Sequence, residues 1–373
     1  MKICIFTHCY PTYKNPIGGN FIPEFANELI KRGHRVIILI PRMKTQVPVD
    51  FGIPVILFDW LGGENLLGHL NLLNPVNIIK IFTFLEKASQ KLKYLVIHEN
   101  IDLCLVLWAI PNGIPAYFVK KKTGIPYSIW TLGSDINMYF HNPPVRLLLK
   151  IILRNANSLF ANSVDLRKKV ERISGMKCHF MSTVRVLTVQ NKTRTDVDKN
   201  KPNFIFVGRL EKVKGADILI DSMIELLIKG TDAALYILGD GSLRVALEKK
   251  VNSSRLNDKI IFKGVVNSDT VAGYLRDADY LIIPSRSEGM PIVFWEALQM
   301  KTRVIGTDVG DLAYWIRKLG VGEVIPPSDK TKLKQAIVKC INQKDITTSV
   351  GEVKIPTIEE AVEVFLGKVN RGY

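Results

Sequence analysis

Four side chains in the second half of the chain have the types and spacing for chemistry on a charged, hydroxyl-rich ligand. Glu288 and Glu296 stand in Ser285 to Leu298, SRSEGMPIVFWEAL, and Arg209 and Lys214 stand in Asn203 to Gly215, NFIFVGRLEKVKG. A guanidinium offers a planar fork of donors and an ammonium a compact point charge, so Arg209 and Lys214 together could neutralise a diphosphate. The glutamates cannot bind phosphate; they can accept hydrogen bonds from hydroxyls on either side of it, and sugar and ribose hydroxyls fit. Pro291 suits the first helical position, where a missing N–H costs nothing. A helix beginning there places Glu296 about 1.5 turns, roughly 8 Å, further along, so the two carboxylates have separate jobs. The Gly-containing turn before it presents free N–H groups and the positive end of the helix dipole, where phosphate is favoured. Taken singly, each of these residues reads more readily as a solvated surface charge.

The elements that must position them form two successive α/β patterns. Lys2 to Thr7 reads as a buried strand, followed by a loop with Pro11, Pro16, Gly18 and Gly19, a helix over Phe21 to Arg32 and a strand over Arg35 to Ile40. This is one parallel βαβ unit. Gly18 and Gly19 permit close approach of a ligand to the backbone, or serve turn chemistry alone. Further strands are expected over Pro54 to Phe58, Asp102 to Trp108, Tyr127 to Thr131 and Ser158 to Ala161, with a Gly-rich loop at Gly62, Gly63 and Gly68 and a helix from Pro75 to Val96. The Gly133-Ser134-Asp135 turn falls at a strand's C-terminal end, where open α/β sheets place ligands. Val189 to Pro202 is polar and poor in large apolar residues, and is the candidate linker. Beyond it, strands over Asn203 to Leu210, Ala234 to Leu238, Lys259 to Phe262, Tyr280 to Pro284 and Arg303 to Ile305 run into glycines, as a second doubly wound sheet approaching a nucleotide requires.

Composition sets the bounds. The 373 residues suffice for two domains, and 47% hydrophobic with 23% charged residues is globular. Lys plus Arg exceed Asp plus Glu by 51 to 35, a formal charge of +16. That excess points to an anionic partner, or to solvated lysine clusters such as Lys120 to Lys122. Five scattered cysteines with no C-x-x-C pair indicate a reduced, cytoplasmic chain. The N-terminus reads as a first strand and not a signal peptide, and no apolar run is long enough to span a bilayer. Within Pro143 to Ala156, Arg146, Lys150 and Arg154 recur every four residues among leucines and isoleucines. Such a helix either packs with one cationic edge or lies on an anionic membrane surface.

Taken in order, GGN…GHRV, GSD, VGRLEKVKG, LGDG and EGMPIVFWEAL resemble the retaining glycosyltransferase family 4, within the glycosyl transferases group 1 of GT-B fold, over nearly the whole chain. The resemblance implies two Rossmann-like, doubly wound domains facing across a cleft. Residues 1–190 would form the acceptor-side domain and 191–355 the donor domain, with a C-terminal helix in 356–373 crossing back to the first. The implied reaction moves a sugar from a UDP-, GDP- or similar nucleotide sugar to a polysaccharide, glycolipid or other glycan acceptor, with no metal and no covalent nucleophile. Arg209 and Lys214 would hold the pyrophosphate and stabilise the leaving diphosphate. Glu288 would bind the transferred sugar, the backbone of Gly289, Met290, Ile292 and Val293 would approach sugar and phosphate, and Glu296 would bind the ribose. Gly18 and Gly19 would approach the donor phosphate from the other domain.

Two departures stand out. Leu132 occupies the place before the Gly-x-Asp turn where the family commonly has a histidine, and Met181 to Lys192, MSTVRVLTVQNK, replaces an Asn-Gly-Val-Asp segment. Competing readings are a sugar-nucleotide epimerase of the same fold, or a non-enzymatic anionic-lipid-binding protein with a degenerate transferase site. Nucleic acid is not an expected partner, since no basic stretch has interleaved aromatics. The expected location is the cytoplasm, with peripheral binding to the inner membrane face.

Overall fold

A computed structural model describes residues 1–13, 18–44, 47–63, 74–187, 193–342 and 353–369. Pro16, Gly68 and residues 188–192 lie outside the described residues. The chain divides into two compact units, Met1–Thr183 with Pro356–Tyr373, and Val184–Ile355.

The first unit is built on β1 (Lys2–Phe6), β2 (Arg35–Pro41), β3 (Val55–Phe58), β4 (Leu103–Leu107), β5 (Tyr127–Thr131), β6 (Ser158–Ala161) and β7 (Cys178–Phe180). They pair in parallel in the order β3-β2-β1-β4-β5-β6-β7. Every residue of β4, LCLVL, is buried, the continuous apolar run of a parallel strand covered on both faces. Each such side chain contributes about 1.5–3 kcal/mol on burial. The connecting helices are α1 (Phe21–Lys31), α2 (Pro75–His98), α3 (Gly113–Thr123), the single turn α4 (Ser134–Asn137), α5 (Pro143–Arg154) and α6 (Val164–Ser174). Side chains cap three of them: Ser163 Oγ accepts from Leu166 N at 3.0 Å, Asn74 Oδ1 from Val76 N at 3.0 Å, and Asn142 Oδ1 from Val145 N at 3.3 Å. Trp130, fully buried, donates from Nε1 to Met181 O at 3.0 Å and packs on Phe21 and Phe25. The C-terminal helix, Ile358–Val369, joins this core through Phe365, whose ring lies 5.8 Å from that of Phe25 and 5.7 Å from that of Phe160.

In the second unit β8 (Asn203–Val207), β9 (Ala234–Leu238), β10 (Ile260–Gly264), β11 (Tyr280–Ile283), β12 (Arg303–Thr307) and β13 (Gly322–Ile325) pair in parallel in the order β10-β9-β8-β11-β12-β13. A 3-10 turn, Lys212–Lys214, leads into α7 (Ala216–Ile228); α8 (Arg244–Ser253), α9 (Ser268–Asp277), α10 (Ile292–Gln299), α11 (Leu312–Leu319) and α12 (Lys330–Asn342) complete the layers. The fold is therefore α/β in both units, each an open parallel sheet whose strand order reverses beside its first strand.

Three local features differ from the sequence reading. The edge strands β7 and β13 were not expected; both are short and carry half-buried residues with no clear period. Pro291 is the N-cap of α10 and not its first helical residue: its ψ of 129° is extended, and Phe294 N bonds to its carbonyl at 3.1 Å. The described part of the candidate linker is packed along the second unit. Thr195 Oγ1 donates to Asp277 at 2.7 Å, and Asp196 accepts from Lys263 and Tyr274, so its polar residues are satisfied by α9 and β10. All five cysteines are described, and no disulfide joins them.

Candidate active site

In the second unit the order reverses between β8 and β11, which opens a crevice at their C-terminal ends. The loop after β8 carries Lys214, the loop after β11 carries Glu288, and the two meet. Lys214 Nζ lies 2.5 Å from Glu288 Oε1, which also accepts from Ser285 Oγ at 2.8 Å. Both side chains are mostly covered, at 25% and 11% exposure. The residue after Lys214 is a glycine that nothing larger could replace. Gly215, at φ +73°, would put a Cβ 2.0 Å from Pro284 O.

Arg286, which the sequence reading did not single out, staples the two loops. Its backbone N bonds to Val213 O at 2.8 Å, and its guanidinium reaches Lys212 O and both oxygens of Asp217, at 2.8 and 3.0 Å. Burial alone would raise the Asp217 carboxyl. The bonds from Arg286 and Lys212 outweigh it and hold the group down at about 2. The visible signal for this staple was an arginine inside SRSEG and an aspartate in the first turn of α7.

Gly289 and Met290, which follow Glu288 in its loop, are buried, and Gly289 O accepts from Asp311 N at 3.2 Å. Ile292 and Val293 open α10. Pro291 provides no side-chain cap, so the N–H groups of Ile292 and Val293 remain donors for a ligand, while Phe294 N turns back to Pro291 O. Arg209 is exposed just beyond β8, and among the described residues its guanidinium makes no ion pair. It sits in the same loop as Lys214.

Glu296 does not join the Lys214–Glu288 pair. It faces Arg185, whose Nη2 and Nε lie 2.6 and 2.8 Å from Oε1, and both partners are buried. Burial raises the Glu296 carboxyl above its usual range, against the opposing pull of Arg185. Arg185 also donates to Ser268 Oγ at 2.7 Å, and Gln299 returns from α10 to bond Arg185 O and Leu187 N, at 2.7 and 2.8 Å. Arg185 lies in the segment that departs from the family pattern, and its partner is far away in sequence. No local signal could have linked them.

Gly18 and Gly19 belong to the first unit, at the turn before α1. Gly19, at φ +67°, would put a Cβ 2.6 Å from Cys9 O, so a close backbone approach as well as turn chemistry fixes it. The Gly133-Ser134-Asp135 turn is a clamp. Asp135 is buried and accepts from Ala109 N at 2.7 Å, Gly133 N at 3.0 Å and Leu132 N at 3.3 Å. Burial raises its carboxyl to about 6 in spite of those bonds.

Residues 189–352 match the family described as glycosyl transferases group 1. N-acetyl-alpha-D-glucosaminyl L-malate synthase of Bacillus anthracis is 22% identical, over 94% of this chain and 91% of its own. Among solved structures, sucrose-phosphate synthase from Thermosynechococcus elongatus superposes with a TM-score of 0.78 at 17% identity, over 100% of this chain and 98% of its own. Anabaena Alr3699/HepE in complex with UDP-glucose gives 0.68 at 15% identity, over 99% and 95%. The fold is GT-B, and the chain is a glycosyltransferase.

Proposed function

We propose that this enzyme is a retaining glycosyltransferase that moves a sugar from a nucleotide-diphosphate sugar to a glycan acceptor, in polysaccharide or glycolipid assembly. The observation that carries the reading is the Lys214–Glu288 pair at the strand-order reversal of the second unit, held by the Arg286–Asp217 staple. An ammonium has three N–H donors, and Glu288 takes one, which leaves donors for phosphate oxygens. Arg209 in the same loop adds the fork that a diphosphate needs. As the bond between the anomeric carbon and the diphosphate oxygen breaks, these cations stabilise the charge that develops on the leaving group. The acceptor hydroxyl attacks the same face and passes its proton to the departing phosphate oxygen, so no covalent intermediate and no metal are required. Glu288 accepts hydrogen bonds from the transferred sugar, and the N–H groups of Ile292 and Val293 with the Gly289–Met290 turn line the phosphate side. Glu296, with both Arg185 bonds on Oε1, offers Oε2 to the ribose diol. A UDP-sugar is the first donor to test, since a structural neighbour is described as binding UDP-glucose.

The membrane surface belongs to the same proposal. On α5 the apolar residues Leu147, Leu148 and Ile151 are 61%, 38% and 41% exposed, beside exposed Arg146 and Lys150. A helix that only packs inward buries its leucines; this one also presents them outward among cations, as interfacial binding requires. Among the described residues no helix is long and apolar enough to cross a membrane.

The deciding experiment compares the wild type with Lys214→Ala for nucleoside-diphosphate release across a panel of nucleotide sugars, with folding checked by circular dichroism. The expected loss in turnover is about a hundredfold or more. Unchanged turnover by a folded variant would sink the assignment, and an inverted anomeric signal in the product's proton NMR spectrum would remove retention.

A further inference from the structure

The first unit reverses its strand order between β1 and β4, and the loops after those two strands bring His8, Trp108 and Asn112 together. This is the position that Lys214 and Glu288 hold in the second unit, but the chemistry differs. Asn112 Nδ2 donates to Leu107 O at 2.7 Å; a carbonyl only accepts, so the orientation of the amide is fixed. The same Nδ2 lies 3.0 Å from His8 Nδ1, which must then be the acceptor. The ring proton is therefore on Nε2. Burial lowers the imidazole to about 4, so at neutral pH His8 is an uncharged N–H donor.

Two further observations mark this cluster as more than packing. Asn112 occupies the N-cap of α3 but makes no cap bond, forgoing the stabilisation such a bond usually gives, and its buried Oδ1 has no partner among the described residues. Trp108 holds φ at +63°, a costly conformation for a bulky residue, with its ring 4.6 Å from that of His8 and still partly exposed. Asp135 fixes that turn through Ala109 N. Gly19 packs on Cys9 O, directly after His8.

We infer that His8, Trp108 and Asn112 form a subsite for a neutral sugar ring. Sugar hydroxyls both donate and accept, which suits an Nε2–H donor beside an unfilled amide oxygen. The apolar C–H face of a pyranose suits a half-exposed indole. An anionic ligand does not suit: none of the three carries charge, and the charged group that grips the Trp108 turn is a carboxylate. Identifying this sugar as the acceptor rests on the glycosyltransferase reading. His8 then supplies, from the end of β1, a hydrogen bond that Leu132 cannot make.

The test uses the full chain with isotope-labelled histidine and tryptophan. The ring-nitrogen NMR spectrum at neutral pH should show His8 as the Nε2–H tautomer. Methyl α-glycosides of glucose, galactose, mannose and N-acetylglucosamine are titrated without nucleotide and with saturating UDP. At least one should shift the His8 Nε2 and Trp108 signals. His8→Gln keeps an N–H donor and should bind that glycoside within about threefold of wild type, whereas His8→Phe and Asn112→Leu should weaken it by about tenfold or more. An Nδ1–H tautomer, or no shift at His8 with any glycoside in either condition, overturns the subsite. UDP binding, followed separately in wild type and Lys214→Ala, reports on the donor reading alone, so the two ideas fail independently.

Discussion

Arg185 and Glu296 form a buried ion pair, their side chains 8% and 4% exposed, with two guanidinium nitrogens within 2.8 Å of one carboxylate oxygen. Removing two charges from water costs several kcal/mol, and only good geometry with further bonds repays it. Here Ser268 and Gln299 complete the arginine's surroundings, and the chain entering the second unit is tied to the last turn of α10.

Breaking one side of this pair should therefore cost more than removing both. Arg185→Ala leaves a buried carboxylate without its cation and should lower stability by about 3–5 kcal/mol in urea denaturation. Because burial already raises the Glu296 carboxyl, its loss of Arg185 raises it further, and the folded state then binds that proton more tightly than the unfolded chain. The variant should regain stability as pH falls. Arg185→Met with Glu296→Leu should recover most of the loss while donor-nucleotide binding stays weak; a double variant that binds nucleotide normally would remove Glu296 from the ribose.

Arg286 is a positioning residue in this scheme, since it acts through the loops that carry Lys214 and Glu288. Arg286→Ala should lower kcat/KM by between about tenfold and a hundredfold with little change in global stability. Asp217→Ala should do the same, and the double variant should be little worse than either single one, because both remove one staple. The carboxyl of Asp217 is held near 2, so the staple is intact from mildly acidic pH upward. Additive losses in the double-mutant cycle would show that the two residues act separately.

That Lys214 and Glu288 meet was legible because a short strand-to-helix loop positions each of them. Lys214 stands in the loop after one strand and Glu288 in the loop after another, and parallel α/β topology brings such loops to one edge. Arg185 was not legible: it sits in MSTVRVL, a stretch with no period or motif, and its role exists only through a residue on α10. The His8–Asn112 contact escaped for the same reason. In sequence His8 only interrupts an apolar run, and Asn112 reads as a turn residue between Pro111 and Gly113. The edge strands β7 and β13 were missed because a strand with one neighbour need not be apolar on both faces, so its residues carry neither a continuous run nor an alternation.

His8 and Asp135 should pull the acid stability of the first unit in opposite directions. The His8 imidazole falls from 6.5 to about 4 on folding, so its contribution is present above 6.5 and is lost as pH falls toward 4. The Asp135 carboxyl rises from 3.8 to about 6, so its contribution is fully present below 3.8 and is lost as pH rises through 6. In thermal scans between these limits the two partly cancel. His8→Gln should leave a protein whose Tm rises on acidification relative to wild type. Asp135→Asn should leave one whose Tm falls on acidification, from a lower starting point, because the amide cannot satisfy all three backbone donors as well as a carboxylate. Parallel pH profiles for wild type and both variants would show that neither group titrates in this window.

The exposed face of α5 separates charge from insertion in a way that vesicles can read. If Arg146 and Lys150 act by attraction to anionic lipid, Lys150→Glu should weaken binding to phosphatidylserine-containing vesicles and make the remainder less sensitive to salt, by about 1 kcal/mol or more for the reversed charge. If Leu147, Leu148 and Ile151 enter the interface, Leu147→Ser with Ile151→Ser should weaken binding at high salt as well, because apolar transfer is not screened. Both substitutions lie on the outer face, away from buried Leu149, Ile152 and Leu153, so folding and turnover with a water-soluble acceptor should be unchanged. Equal sedimentation of the wild type with neutral and anionic vesicles would leave the basic excess of this chain to solubility, and α5 would carry exposed leucines without a membrane to meet them.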